Sequence, residues 1–279
     1  MASLSNNQKT RKSSFLNSNP VMRRLDKVEE YSESSAATYG GITAKTIFFL
    51  LFSVAGMILQ RVLETHLATG RQIAVKISGF ETTLYMGQVI AIAACVILAI
   101  VFQLLAFFAK PTTPVTGSLY CVTQGYIIAF LVFTVLKGLE HLGLLALIIT
   151  VAIVAVMSIL YSTGVIRVTK KFKMVMITLL VTSIAVSLLT FLGSLIPFTR
   201  DLVKSLTANP VISIGISVIF IIIAALFLIC DFNTIDHVVS DKLPKKYEWQ
   251  AAFGLSFTVL WLYLKVLDLI MTIAGNNKN

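Results

Sequence analysis

The sequence predicts an all-α polytopic membrane protein built as a bundle of seven transmembrane helices, and three observations carry that prediction. Of 279 residues, 57% are hydrophobic and 13% charged, with a mean hydropathy of +0.87. That is more apolar material than a soluble domain with a charged shell can place. Seven mainly apolar segments reach the roughly 20 residues that a helix rising about 1.5 Å per residue needs to cross about 30 Å of hydrocarbon. The basic residues, finally, crowd into one alternating set of connections.

Residues 1–41 hold eight serines and the basic residues Lys9, Arg11, Lys12, Arg23, Arg24 and Lys27, so they are expected to form a disordered basic cytoplasmic tail. The tail lacks the apolar core of a cleavable signal, and Glu29, Glu30 and Glu33 argue against a transit peptide. The first span is then expected to serve as an uncleaved signal. Residues 42–275 form the seven-helix transmembrane domain, with spans at 43–63, 83–108, 116–137, 142–162, 174–196, 211–235 and 249–273. The fourth and fifth are the clearest, being free of charge from Leu142 to Val165 and from Met174 to Thr199. Lys110-Pro111 with Pro114 stops the second helix, Pro197 ends the fifth, and Asn209-Pro210 opens the sixth, where a missing N–H costs nothing. The stretch from Asp236 to Glu248 is polar enough to leave the bilayer.

With the N-terminus inside, the inner connections and tail carry fifteen Lys and Arg and the outer ones seven, Lys265 lying within a span. The sequence therefore predicts a cytoplasmic N-terminus and an exoplasmic C-terminus. The same distribution explains the net charge of +10 without nucleic acid as a partner, since no basic face with exposed aromatics can be drawn. Cys95, Cys121 and Cys230 lie in uncharged runs, and neither they nor His66, His141 and His237 have metal-ligand spacing, so no disulfide, metal or cofactor is expected. No zinc-protease helix, nucleophile elbow or phosphate loop is present, and the protein is not expected to be an enzyme.

An ionisable group costs at least about 2.5 kcal/mol at a helix centre in hydrocarbon, so each one in a span asks for a reason. The candidates are Asp231, Lys265 and Asp268. For Asp231 two readings stand. The sixth helix reaches the cytoplasm there, about 30 Å after Val211, or it continues toward Val239 and carries the carboxylate into the bundle. Lys265 and Asp268, three residues apart on one helix face, are expected to form an ion pair near the outer surface, the alternative being that Lys265 reaches an interior carboxylate across a tilted sixth helix. On the third span, Gln124 beside Gly125 is expected to bond between helices at a close approach, and Gln88 and Gln103 on the second to do likewise.

The run Tyr247-Glu248-Trp249-Gln250-Ala251-Ala252-Phe253-Gly254-Leu255, continued by Leu260-Trp261-Leu262-Tyr263-Leu264, resembles the last helix of bacterial members of the Bax inhibitor-1 family. So do Asp231-Phe232-Asn233-Thr234-Ile235 and, upstream, Asn19-Pro20 and Leu160 through Thr169. The resemblance implies a seven-helix fold with the last helix central, in the bacterial plasma membrane. It also implies a pH-sensitive leak for calcium or other cations, latched by acids on the sixth and seventh helices. Asp231 matches the first acid. Lys265 stands at the second, Asp268 where the family tends to show arginine, and Gln124 where a third-helix acid is expected. A lysine beside Asp231 would hold it ionised, so weakened or altered pH gating is the expectation. The alternative is a non-transporting regulator that binds a membrane protease or another membrane complex.

Overall fold

The computed structural model describes residues 36–78, 80–195 and 209–276. Most of the expected tail, and Pro197 with the basic residues Arg200 and Lys204, lie outside that range. In order come α1 (Tyr39–Leu67), the strands β1 (Gln72–Ile77) and β2 (Phe80–Tyr85), α2 (Met86–Phe108), and α3 (Thr113–Ala129), which is extended by a π-helical turn at Phe130–Val135. These are followed by α4 (His141–Ser162), α5 (Lys170–Leu195), α6 (Pro210–Ser240) and α7 (Lys246–Asn276). Six of them, α1, α2, α3 with its π turn, α4, α6 and α7, are long and apolar enough to cross a membrane. The remaining one, α5, is 26 residues long and carries the uncharged run that begins at Met174.

The first helix begins at Tyr39, earlier than the expected boundary at 42, because Thr38 caps it by accepting the Gly41 N–H at 3.0 Å. A β-hairpin between α1 and α2 is the departure from an all-α chain, and it takes Thr83, Leu84 and Tyr85 from the expected second span. Its cause is a period-two alternation in Gln72–Ile77, exposed and half-buried in turn, paired antiparallel with β2 so that Ile73 meets Leu84 and Ile77 meets Phe80. Gln88 does not bond between helices. Its Oε1 accepts the Tyr85 N–H at 3.1 Å and so caps the start of α2.

The seventh helix is central, packing against α1, α2, α3, α4 and α6, while α5 packs on α6. The two least apolar spans, α3 and α7, are the most buried, and the strongly apolar α2 and α4 are mostly exposed. Lipid-facing helices must be apolar throughout, whereas interior ones can carry hydroxyls and amides. Burial of Tyr120, Phe253 and Phe49 around a chain of edge-to-face rings fills the centre.

The approach of α1 to α3 is set by two glycines. A Cβ on Gly125 would stand 1.8 Å from the Ser53 carbonyl oxygen, and one on Gly56 would stand 2.0 Å from that of Val122. Both obstacles are backbone and cannot rotate away. Gly125→Ala is therefore expected to destabilise the detergent-solubilised protein by at least about 2 kcal/mol, an overpacking cost. Gly215→Ala, with nothing within 4 Å, should be neutral or stabilising by up to about 1 kcal/mol, and thermal unfolding of the two variants side by side checks the contrast.

Candidate functional site

The sixth helix continues for nine residues beyond Asp231, to Ser240, which places the carboxylate about 13 Å inside that end. The helix thus continues past Asp231, as the second of the two readings expects. The Asp231 Oδ2 is shielded and has no hydrogen-bond partner, as is the Nδ2 of Asn233. Across the interface on α7 stands Gly254, where a Cβ would make an ordinary contact of 3.7 Å with Asp231 Oδ1. The Thr258 side chain stands beside it as well, with its hydroxyl donating to the Gly254 carbonyl at 3.2 Å. Neither α7 neighbour carries a charge.

Lys265 is elsewhere. Its Nζ lies over the ring of Phe220, 4.8 Å from the centroid, a cation–π contact that stabilises a cation in apolar surroundings. Phe220 precedes Asp231 by eleven residues, and Lys265 follows Gly254 by the same number, so the two groups are separated by about 16 Å along the bundle. The expected ion pair with Asp268 is not formed either. Asp268 accepts from Ser78 at the hairpin tip (3.0 Å, to Oδ1) and from Ser217 on α6 (3.4 Å, to Oδ2). Three-residue spacing puts two side chains on one face, but here hydroxyls from two other elements take the carboxylate and an aromatic ring takes the ammonium. Gln124, the neighbour of Gly125 on α3, has its Oε1 buried and unpartnered, so that oxygen does not make the expected bond between helices. Of the four candidates, the structure brings none of the other three to Asp231.

A second polar cluster, unread in the sequence, ties the helix ends near the α6–α7 connection. Glu248, 1% exposed, accepts from the Thr38 N–H at 2.9 Å and pairs with Lys45, whose Nζ also stands 5.1 Å from the centre of the Trp249 ring. Gly41 leaves room for this carboxylate, since a Cβ there would fall 2.5 Å from Glu248 Oε1. Alongside, Asp236 accepts from the hydroxyls of Tyr39 (2.9 Å) and Tyr161, and Ala37 N–H donates to the Leu243 carbonyl at 2.7 Å. Glu248 opens α7 and is not part of a polar connection. Nothing local in the sequence marks it, because its partners are more than 200 residues away.

A central last helix, an interior Asp231 on the sixth and the α7 motif around Gly254 are the features the resemblance implies, and the sequence profile described as "Bax inhibitor 1 like" matches residues 19–275. The chain belongs to the Bax inhibitor 1 like family. No curated protein matches it. Within this Bax inhibitor 1 like fold, the positions facing the sixth-helix acid are Gly254 and Thr258, and Lys265 lies too far along α7 to serve as its counterpart.

Removing one partner of a buried ion pair strands the other, at a cost of about 3 kcal/mol or more. Lys45→Met is therefore expected to lower stability sharply, and Lys45→Met combined with Glu248→Met to recover much of the loss. A double-mutant cycle by thermal unfolding in detergent measures the coupling, and additive effects would count against the pair.

Proposed function

We propose that this integral membrane protein is a cation leak, calcium included, whose path passes Asp231 and whose response to pH is weakened. The observation that carries the proposal is the Asp231 carboxylate inside the bundle, its Oδ2 without a protein partner. A costly group kept in such a place is by default one that meets a proton or a cation. The weakening follows from the α7 side. Two facing carboxylates that share a proton can latch two helices together and part when it leaves, whereas Asp231 faces a glycine and a threonine and has no acid to latch to. It is this missing second acid, and not a neighbouring lysine, that supports altered gating.

The replaced acids also favour a second reading, in which the protein conducts nothing and regulates a membrane protease or another membrane complex. Gln124, an amide that cannot titrate, is the residue that points that way. In either case we read it as a non-enzymatic protein of the bacterial plasma membrane without cofactor or nucleic-acid partner. Its N-terminus is placed in the cytoplasm on the strength of the fifteen-to-seven division of basic residues.

Calcium entry into dye-loaded proteoliposomes between about pH 6 and 8, a window that brackets a shared-proton titration near neutrality, tests the leak. The unmodified protein should pass cations with little dependence on pH, Asp231→Asn should reduce the flux, and Thr258→Asp should introduce a pH-dependent response. A strongly pH-gated flux in the unmodified protein would refute the weakened gating, and no flux from any form would favour the regulatory reading. Separately, a reporter active only in the cytoplasm should be silent when fused after Asn279, and activity there would contradict the odd number of crossings.

A further inference from the structure

A cleft of about 830 Å³ runs between α1 and α4. Its floor is buried and belongs to the packed interior, with Ile128 and Val132 of α3 and Leu260 and Tyr263 of α7. Its rims are exposed and apolar: Val54 on α1 faces Leu144, Leu147 and Val151 on α4. Because both rims lie within membrane-crossing helices, the cleft opens sideways into hydrocarbon and not into water. Along α4 the lining extends from Glu140 to Ser158, eighteen residues or about 27 Å.

The two ends differ in charge. Glu140 closes one end; the backbone N–H of Gly138 donates to its carboxylate at 2.9 Å and holds its pKa below the ordinary glutamate value. Beyond Ser158, at the opposite end of α4, come Arg167, Lys170, Lys171 and Lys173, all exposed. Arg61 and His141 stand near Glu140, so that end is mixed in charge, and an anionic headgroup is drawn to the other, where four basic residues follow one another. The volume is that of a small-ligand site, typically about 300–1,000 Å³, and the long apolar lining fits one acyl chain.

We propose that this cleft is a binding site for one acyl chain of an anionic phospholipid, with the tail over the floor of α3 and α7 and the headgroup toward the basic residues of the α4–α5 connection and the start of α5. The site goes beyond the leak reading and does not require it. It does adjoin the candidate path. Phe232, the residue after Asp231, lines the cleft and packs its ring 5.9 Å from that of Tyr161.

The test uses the full chain in lipid nanodiscs containing phosphatidylglycerol with a photoreactive diazirine in mid-chain, with adducts mapped by peptide mass spectrometry. The expected adducts fall on the buried floor residues Val132, Leu260 and Tyr263, in excess of those on freely exposed positions of α2 such as Ile97 and Val101. Ala155→Trp, which adds bulk from an exposed lining position, should cut floor labelling roughly ten-fold and leave α2 labelling unchanged. A phosphatidylcholine probe with the same tail should label the floor several-fold less. Labelling confined to exposed faces, or floor labelling indifferent to Ala155→Trp, would overturn the site, and equal labelling by both headgroups would overturn the choice of an anionic lipid. Cross-links from floor residues to a second copy of the chain would assign the cleft to a protein partner and likewise overturn it.

Discussion

Glu248 sets the depth of the helix around which the others are arranged. Its carboxylate is almost wholly buried, and it is satisfied by the Thr38 N–H and the Lys45 ammonium at the start of α1. A charge so placed tolerates little sliding, because a one-turn shift of α7, about 5.4 Å, would strand it in an apolar contact. Burying such a pair yields modest net stability, since desolvation offsets most of the attraction. Its physical value is registration. With the first turn of α7 fixed against α1, Gly254 and Thr258 come level with Asp231, and Lys265 is carried on to Phe220.

The close α1–α3 contact acts in the same direction. Gly56 and Gly125 let two backbones approach past any possible Cβ, so α1 is anchored on α3 as well as on α7. In a bilayer there is no hydrophobic drive to bring helices together, and such close packing with hydrogen-bonded polar groups supplies the association. The open side is the one between α1 and α4, where the helices are held apart over the floor that α3 and α7 provide.

At the opposite end, the hairpin replaces what a helix-only fold would leave as a loop. Ser78, at a positive φ of 45°, donates to Asp268 from the tip, while the buried Phe80 and Leu84 join the hydrophobic core. Asp268 thus anchors the connection between α1 and α2 to the last helix, a structural use that accounts for an acid in a span without a cation beside it.

The seven helices, their order and the family were legible from the sequence alone. Apolar length, proline and glycine punctuation, and the motifs around Asp231 and Trp249 are local properties that survive without knowledge of contacts. The strand alternation in Gln72–Ile77 was present as well, overshadowed by the apolar run that follows it. What only the tertiary structure decided is which charges meet. Lys265 and Asp268 share a helix face by spacing, yet each finds its partner on another element, Phe220 for one and Ser78 with Ser217 for the other. Glu248 likewise finds Lys45 across 203 residues. Spacing along one helix dictates direction, but the depth at which antiparallel helices face each other depends on where buried end groups lock them, and that is a property of the packed bundle.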